Sequence, residues 1–346
     1  MRRRRGSAVK RIAIFCDGTW NSPRHGHESN VLHLARGLEA QHEGFKQVAF
    51  YDWGVGTDRK RLRGGLSGAG IDKNILDCYR FLVHNYHPGD TLYFFGFSRG
   101  AYTARSLAGF IRNCGLLMPQ HAAQIPAAYA LYRKRSAASH PDAPEARAFR
   151  AAHAWSDLTP IRFMGVWDTV GALGIPVPFW GVLGQKEFLF HDTAPSRIIE
   201  HARHALAIDE CRQDFEPTLW DRKPGLDLQQ VWFAGVHSNV GGSYADRGLS
   251  DLPLQWIARE AALEGLGFTD HALARMAPNH AGQLYDSRRG IYRARAAHRR
   301  QIQGPIHHSV RQRWEEDIKS YRRRCAPLRE LLQRVDNDWQ AVELVF

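Results

Sequence analysis

A serine between two glycines, Gly96-Phe97-Ser98-Arg99-Gly100, follows the apolar run Thr91–Phe97 and precedes a helix-like stretch from Ala101. A buried strand that turns sharply into a helix holds a serine hydroxyl above a sheet. The flanking glycines are needed where a side chain would strike the helix or the next strand. Such a serine is suited to nucleophilic attack on an acyl carbon. It then needs a base to take its proton and an acid to orient that base. Two later apolar runs supply candidates. Ile161–Trp167 ends in Asp168-Thr169-Val170-Gly171, and Val231–Val236 ends in His237-Ser238-Asn239-Val240-Gly241-Gly242. Ser98, Asp168 and His237 thus occur in the order nucleophile, acid, base, each where a strand gives way to a loop.

Asp192, Asp209 and Asp246 are rival acids, and His204 and His308 are rival bases. His307-His308-Ser309 reads either as a second functional loop or as a solvated surface. The oxyanion hole calls for the backbone N–H of Arg99 and a second donor from the loop Asp17-Gly18-Thr19-Trp20-Asn21, with Gly18 or Thr19 as candidates. Arg99 and Asp17 are the side chains expected to meet substrate. Phe15-Cys16-Asp17-Gly18-Thr19 also approximates the Asp-x-Asp-Gly-Thr signature of aspartyl phosphatases, but Phe15 stands where that nucleophile belongs. The eighteen histidines include no His-Glu-x-x-His or similar ligand spacing, and His25 and His27 lack an assignable partner, so no metal is expected. Gly54-Val55-Gly56 and the glycines from Gly64 to Gly70 lack the Gly-Lys-Ser/Thr of a phosphate cradle. No cofactor is expected, and these glycines read as a flexible loop near the site.

The elements that must position these residues alternate along the chain. Strand-like runs cover Arg11–Asp17, Gln47–Gly56, Thr91–Phe97, Ile161–Asp168 and Leu228–Val236. Helix-like stretches cover Asn30–Ala40, Asn74–Tyr86, Ala101–Leu117, Pro195–Glu210 and Leu252–Leu266. The pattern predicts an α/β-hydrolase-like fold, a mostly parallel sheet with helices on both faces and helical insertions. Ligands then gather at the carboxyl ends of the strands. A single domain over 1–346 is expected, with a core at about 9–266. An Ala-, His- and Arg-rich insertion or cap occupies about 118–159, with helices near Ala127–Arg135 and Pro144–Ala154. Gly171–Asp192 reads as a long apolar loop. A basic, partly helical part covers 267–346, with Trp314–Val335 of helical composition.

Five cysteines without a CxxC pair fit small buried hydrophobes in a reducing compartment. No apolar run reaches the length of a signal-peptide core or a membrane span, so the chain is expected in the cytoplasm as made, with export by a machine needing no cleavable signal left open. The net charge of +12, with basic clusters at Arg2–Arg5 and Arg322–Arg324, suits contact with an anionic membrane surface. No zinc-finger or RNA-binding signature accompanies it, so nucleic acid is not an expected partner.

Five segments together resemble one family, the bacterial and fungal α/β-hydrolases that include the type VI secretion phospholipase effectors. They are Phe15–Asn21, Gly96–Ala101, Gly165–Gly171, His204–Glu210 and Gly235–Gly242. The resemblance runs from residue 11 to about residue 260. It implies a Ser98-Asp168-His237 triad, ester hydrolysis with phospholipid as substrate, an effector's export and an immunity protein as partner. Asn239 departs from the Asp expected at its place. Two other readings stand beside a lipase or phospholipase A: an esterase of small soluble esters, and an idle hydrolase fold used as a binding module.

Overall fold

In a computed structural model, residues 9–18, 26–54, 69–134, 136, 139–171 and 195–346 are described. Nine strands form one sheet among them: β1 (Lys10–Cys16), β2 (Gln41–His42), β3 (Phe45–Asp52), β4 (Thr91–Phe97), β5 (Ile161–Trp167), β6 (Ile199–Ala207), β7 (Asp227–Phe233), β8 (Ile306–His307) and β9 (Leu344–Val345). Their order is β2-β3-β1-β4-β5-β6-β7-β8-β9, and every pairing is parallel except β2 with β3. The α/β class expected from the alternating runs is the observed one. Strands β1, β4 and β5 are almost continuously buried and apolar, as a sheet covered on both faces requires.

Three helices precede the insertion: α1 (Asn30–Gly37), α2 (Ala69–Asn85) and α3 (Arg99–Cys114). The insertion contributes α4 (Ile125–Arg133) and α5 (Pro144–His153), and then come α6 (His237–Gly241) and α7 (Gly248–Leu263). Ile12, Ile14, Leu92 and Phe94 point to the face covered by α2, α3 and α4, where Tyr79, Leu107, Phe110 and Leu131 meet them. Ala13, Phe15, Tyr93 and Phe95 point to the other face, under Leu34 of α1 and Leu254 and Ile257 of α7. The strict alternation along β1 and β4 is the period-two pattern of strands. The insertion therefore thickens the α2–α3 layer. Arg150 of α5 donates to the carbonyls of Asn113 and Pro141, both at 2.8 Å.

The last part of the chain adds α8 (Asp270–Ala274), α9 (His308–Glu315), α10 (Tyr321–Arg324) and α11 (Ala326–Arg334). Val310, Tyr321, Leu328 and Leu332 pack with Leu206, Trp232 and Ile306 to cover the β6–β8 end of the sheet. The helical composition expected for Trp314–Val335 is realised as several short helices. One expectation is corrected. Pro195–Glu210, read as a helix, contains β6, hydrogen-bonded between β5 and β7. Its Ala, Arg and Glu favour helix, yet Ala202–Ala207 are buried, and two flanking strands satisfy their backbone. Gly54 and Gly70 lie within the described residues. Most of the Gly-rich loop between them, and almost all of Gly171–Asp192, lies outside. No helix of the described residues is long and apolar enough to cross a membrane.

The chain moves from β1 to β3 on one side and to β4 on the other, so the sheet's switch point lies between β1 and β4. Register brings Cys16 beside Gly96 there, and Phe97 beside Trp167 on the next pair. The first residues past these strands are Asp17, Ser98 and Asp168.

Candidate active site

Ser98 occupies φ 57° and ψ −122°, a conformation that side chains rarely adopt. Its N–H donates to the Trp167 carbonyl at 3.0 Å, tying the turn to the end of β5. The glycines on either side explain the tightness. A Cβ on Gly96 would lie 2.6 Å from the Ala101 Cα, and one on Gly100 would lie 2.1 Å from the Cys16 carbonyl oxygen. Both obstacles are backbone, the first turn of α3 and the last residue of β1. A Gly100→Ala substitution is therefore expected to destabilise the protein by about 3 kcal/mol, the upper part of the usual range for overpacking. Urea unfolding checks this; an unchanged midpoint would mean that β1 and α3 are not in contact here.

Asp168, one strand away, also has a positive φ, 39°, and is fully buried. Its Oδ2 lies 2.6 Å from Nδ1 of His237. Its Oδ1 accepts from the Ala207 N–H at 3.0 Å and from Arg300 Nη1 at 2.6 Å, while Arg300 Nη2 donates to Oδ2 at 3.0 Å. Burial would raise this carboxyl, but the Arg300 charge and the hydrogen bond with His237 outweigh it and hold Asp168 well below the usual carboxylate range. It is an anion at neutral pH.

His237 opens α6 just past β7. Its ring is 4.6 Å from the Phe97 ring and 4.9 Å, edge-on, from the Phe215 ring. Phe97 precedes Ser98, so the imidazole stands beside the nucleophile turn. Burial lowers the His237 pKa, and Asp168 opposes that shift only in part. The ring is thus a neutral base at neutral pH. With Nδ1 turned to Asp168, Nε2 is the nitrogen left for a proton from serine. The structure brings Asp168 and His237 into contact and sets both beside the Ser98 turn.

Sequence reasoning missed the groups that surround this dyad. Glu210 is buried; its Oε2 accepts from the His237 N–H at 3.2 Å and from Arg212 Nη2 at 2.9 Å. Burial pushes its carboxyl up, but hydrogen bonding and charge from Arg212 bring it down to about 2. Arg212 lies 3.5 Å over the Phe215 ring. Glu210 closes the segment His204–Glu210, and the acidic pair Asp209-Glu210 at its end was the available signal. Arg300 had none.

The other expected residues sort by what they touch. The first turn of a helix leaves its N–H groups without carbonyl partners in that helix, so the Arg99 N–H at the start of α3 is placed to serve an oxyanion. The Arg99 side chain makes no ion pair with the described residues. Burial draws its guanidinium down to about 10, and Tyr292 faces it. Gly18 does not fit the role expected of it, because its N–H donates to Asp17 Oδ1 at 2.6 Å. Thr19 lies outside the described residues. Asp17 is also corrected. Its carboxylate is buried and accepts from Tyr51 Oη at 2.6 Å and from Ser29 Oγ, so it anchors the β1 loop to β3 and α1.

Among the rivals, His204 accepts the Thr169 N–H at Nε2 (3.1 Å), and its Nδ1 faces Gln230 Oε1 (3.3 Å). Burial, helped by the Arg105 charge, lowers its pKa to about 3. It is a neutral ring that fixes the residue after Asp168. His307 stacks on Phe233 and caps α9, while His308 lies 5.1 Å from Phe346. Asp209 accepts from the Gly235 N–H and Tyr321, and exposed Asp246 caps the Gly248 N–H. Asn239 braces the His237 turn, donating to the Gln283 carbonyl at 2.9 Å and accepting from the Val236 N–H at 3.3 Å. Asp192 and His25 lie outside the described residues, and His27 is exposed.

Comparison with known proteins gives one family over most of the chain. The family described as the T6SS phospholipase effector Tle1-like catalytic domain matches residues 10–260. An uncharacterized protein of Saccharomyces cerevisiae, YEL023C, is 30% identical over 239 residues, which are 63% of this chain and 34% of that protein. The chain thus spans about a third of the length of this relative. Among solved structures, an uncharacterized protein from Pseudomonas aeruginosa aligns with a TM-score of 0.47 at 18% identity, covering 80% of this chain and 49% of the other. The Tle1 effector bound to the VgrG spike of the type VI secretion system aligns with a TM-score of 0.39 at 20% identity, covering 70% and 52%.

Proposed function

Since this chain belongs to the Tle1-like phospholipase effector catalytic domain family, we propose that it is a serine hydrolase that cleaves carboxylic esters of phospholipids through an acyl-enzyme. The observation that carries the reading is the buried 2.6 Å contact between Asp168 and His237, on strand ends next to the strained Ser98 turn. His237 Nε2 takes the Ser98 hydroxyl proton as Oγ attacks the ester carbonyl carbon. Negative charge moves to the carbonyl oxygen, facing the Arg99 N–H at the start of α3. The tetrahedral adduct collapses, the alcohol leaves with the proton from His237, and the acyl group stays on Ser98. Water, deprotonated by the same imidazole, then releases the fatty acid. Asp168 stays ionised throughout and stabilises the imidazolium. The Arg99 guanidinium, next to the reacting serine and without an ion pair among the described residues, suits the phosphate of a headgroup.

A fluorophosphonate probe should label the folded protein at Ser98, and vesicles containing anionic phospholipid should release fatty acid. Folded protein that resists the probe would overturn the hydrolase reading. Labelling and cleavage of short soluble esters without fatty acid release would overturn the lipid part alone.

A further inference from the structure

Arg300 lies 40 residues beyond the last residue matched to the family and reaches the site from the segment between the turn Gly290–Ala294 and β8. Its side chain is 1% exposed. The guanidinium lies along the Asp168 carboxylate in two parallel hydrogen bonds, Nη1 to Oδ1 and Nη2 to Oδ2. It also donates to the Ala207 carbonyl at 2.7 Å and to the Phe215 carbonyl. One side chain thus fixes the acid, the end of β6 and the loop whose phenyl ring lies against His237. We infer that Arg300 is a positioning residue that sets the basicity of His237 by neutralising the carboxylate its imidazolium leans on. This rests on the reading of Ser98, Asp168 and His237 as a triad.

The charges around His237 support it. Asp168 Oδ2 is shared between His237 Nδ1 and Arg300 Nη2. On the backbone side of His237, Glu210 is paired with Arg212. Beyond Thr169, His204 is a neutral ring, and Tyr292 stands behind Phe215. Both carboxylates that face His237 therefore arrive already matched by a guanidinium. An imidazolium formed here meets two nearly neutral pairs instead of two free anions. One uncompensated charge at such a distance moves a titration by roughly one to two pH units at the effective dielectric of protein sites. The base thereby stays free at a lower pH than an unpaired Asp–His dyad allows. Arg is suited to the task because its fork matches both carboxylate oxygens and it does not lose its proton.

The test follows the His237 ring by NMR with labelled histidine, its signal identified by loss in H237Q. In wild-type protein the midpoint should lie below 6.5, the ordinary value. In R300Q, which removes the charge but can still donate to Asp168, it should rise by about one pH unit or more. In R300K, which keeps the charge but loses the second hydrogen bond, the rise should be smaller. A wild-type midpoint at or above the ordinary value would overturn the inference. So would an unchanged midpoint in folded R300Q or, if R300Q does not fold, in R300M, and so would a rise in R300K as large as that in the uncharged variant. A merely structural Arg300 would change the melting temperature without moving this midpoint. The titration needs no turnover, whereas failure of Ser98 to react with the fluorophosphonate in wild-type protein would count against the hydrolase reading instead.

Discussion

Ser98→Ala is expected to lower ester turnover by about four to six orders of magnitude while leaving the fold intact. The two parts of this result have separate causes. Turnover falls because Ser98 carries the hydroxyl on the strained turn, next to the Arg99 N–H and with the His237 ring packed on the preceding Phe97. The fold survives because the positive φ at residue 98 is imposed by contacts of its neighbours, Gly96 against Ala101 and Gly100 against Cys16. The Ser98 backbone bond to Trp167 also remains. Backbone strain of this kind costs about 1–3 kcal/mol, and alanine bears it as serine does. The thermal midpoint should accordingly move by no more than a few degrees. Kinetics on a soluble ester, with fluorophosphonate labelling and a thermal melt, give both readings. Undiminished turnover in the folded variant would remove Ser98 from the mechanism.

Asp168→Asn should behave differently, losing both activity and stability. An asparagine can offer its amide N–H to His237 Nδ1, which would fix the imidazole with its proton on Nε2, the nitrogen that must accept from Ser98. Loss of about 10⁴ in turnover is the expected size of that error. The stability loss comes from Arg300. Its guanidinium stays buried, and the anion that two of its hydrogen bonds serve is gone. Leaving one partner of a buried ion pair in place costs about 3–5 kcal/mol. The double variant D168N/R300M should regain most of that stability and none of the activity, because no charge is then stranded. Urea unfolding separates the two. A D168N protein as stable as the wild type would show that Arg300 reaches another anion or water.

The residues that were legible in the sequence share one property. Ser98, Asp168 and His237 each end a run of buried apolar residues, and such a run marks both a strand and the edge where chemistry collects. β4 and β5 could be read almost to the residue for the same reason. β6 could not. Ile-Glu-His-Ala-Arg-His-Ala-Leu-Ala has helix-forming composition, and only its place between two other strands makes it extended. Asp17 and Gly18 were correctly placed at a strand end, but which groups they would bond depended on Ser29 and Tyr51 arriving from elsewhere in the chain. Arg300 stands among Arg293, Arg295 and Arg299 in a stretch without periodicity. Nothing local distinguishes the arginine that enters the protein from those that stay at or near its surface. Its partner lies 132 residues away.

That separation has a consequence in time. A ribosome adds about 5–20 residues each second, so Asp168 emerges roughly ten seconds before the guanidinium that compensates it. Until then the strand ends β5, β6 and β7 can be made, yet the acid between them has no counter-charge and favours contact with water. The native surroundings of Asp168 are complete only when the segment carrying Arg300 has been made and docked.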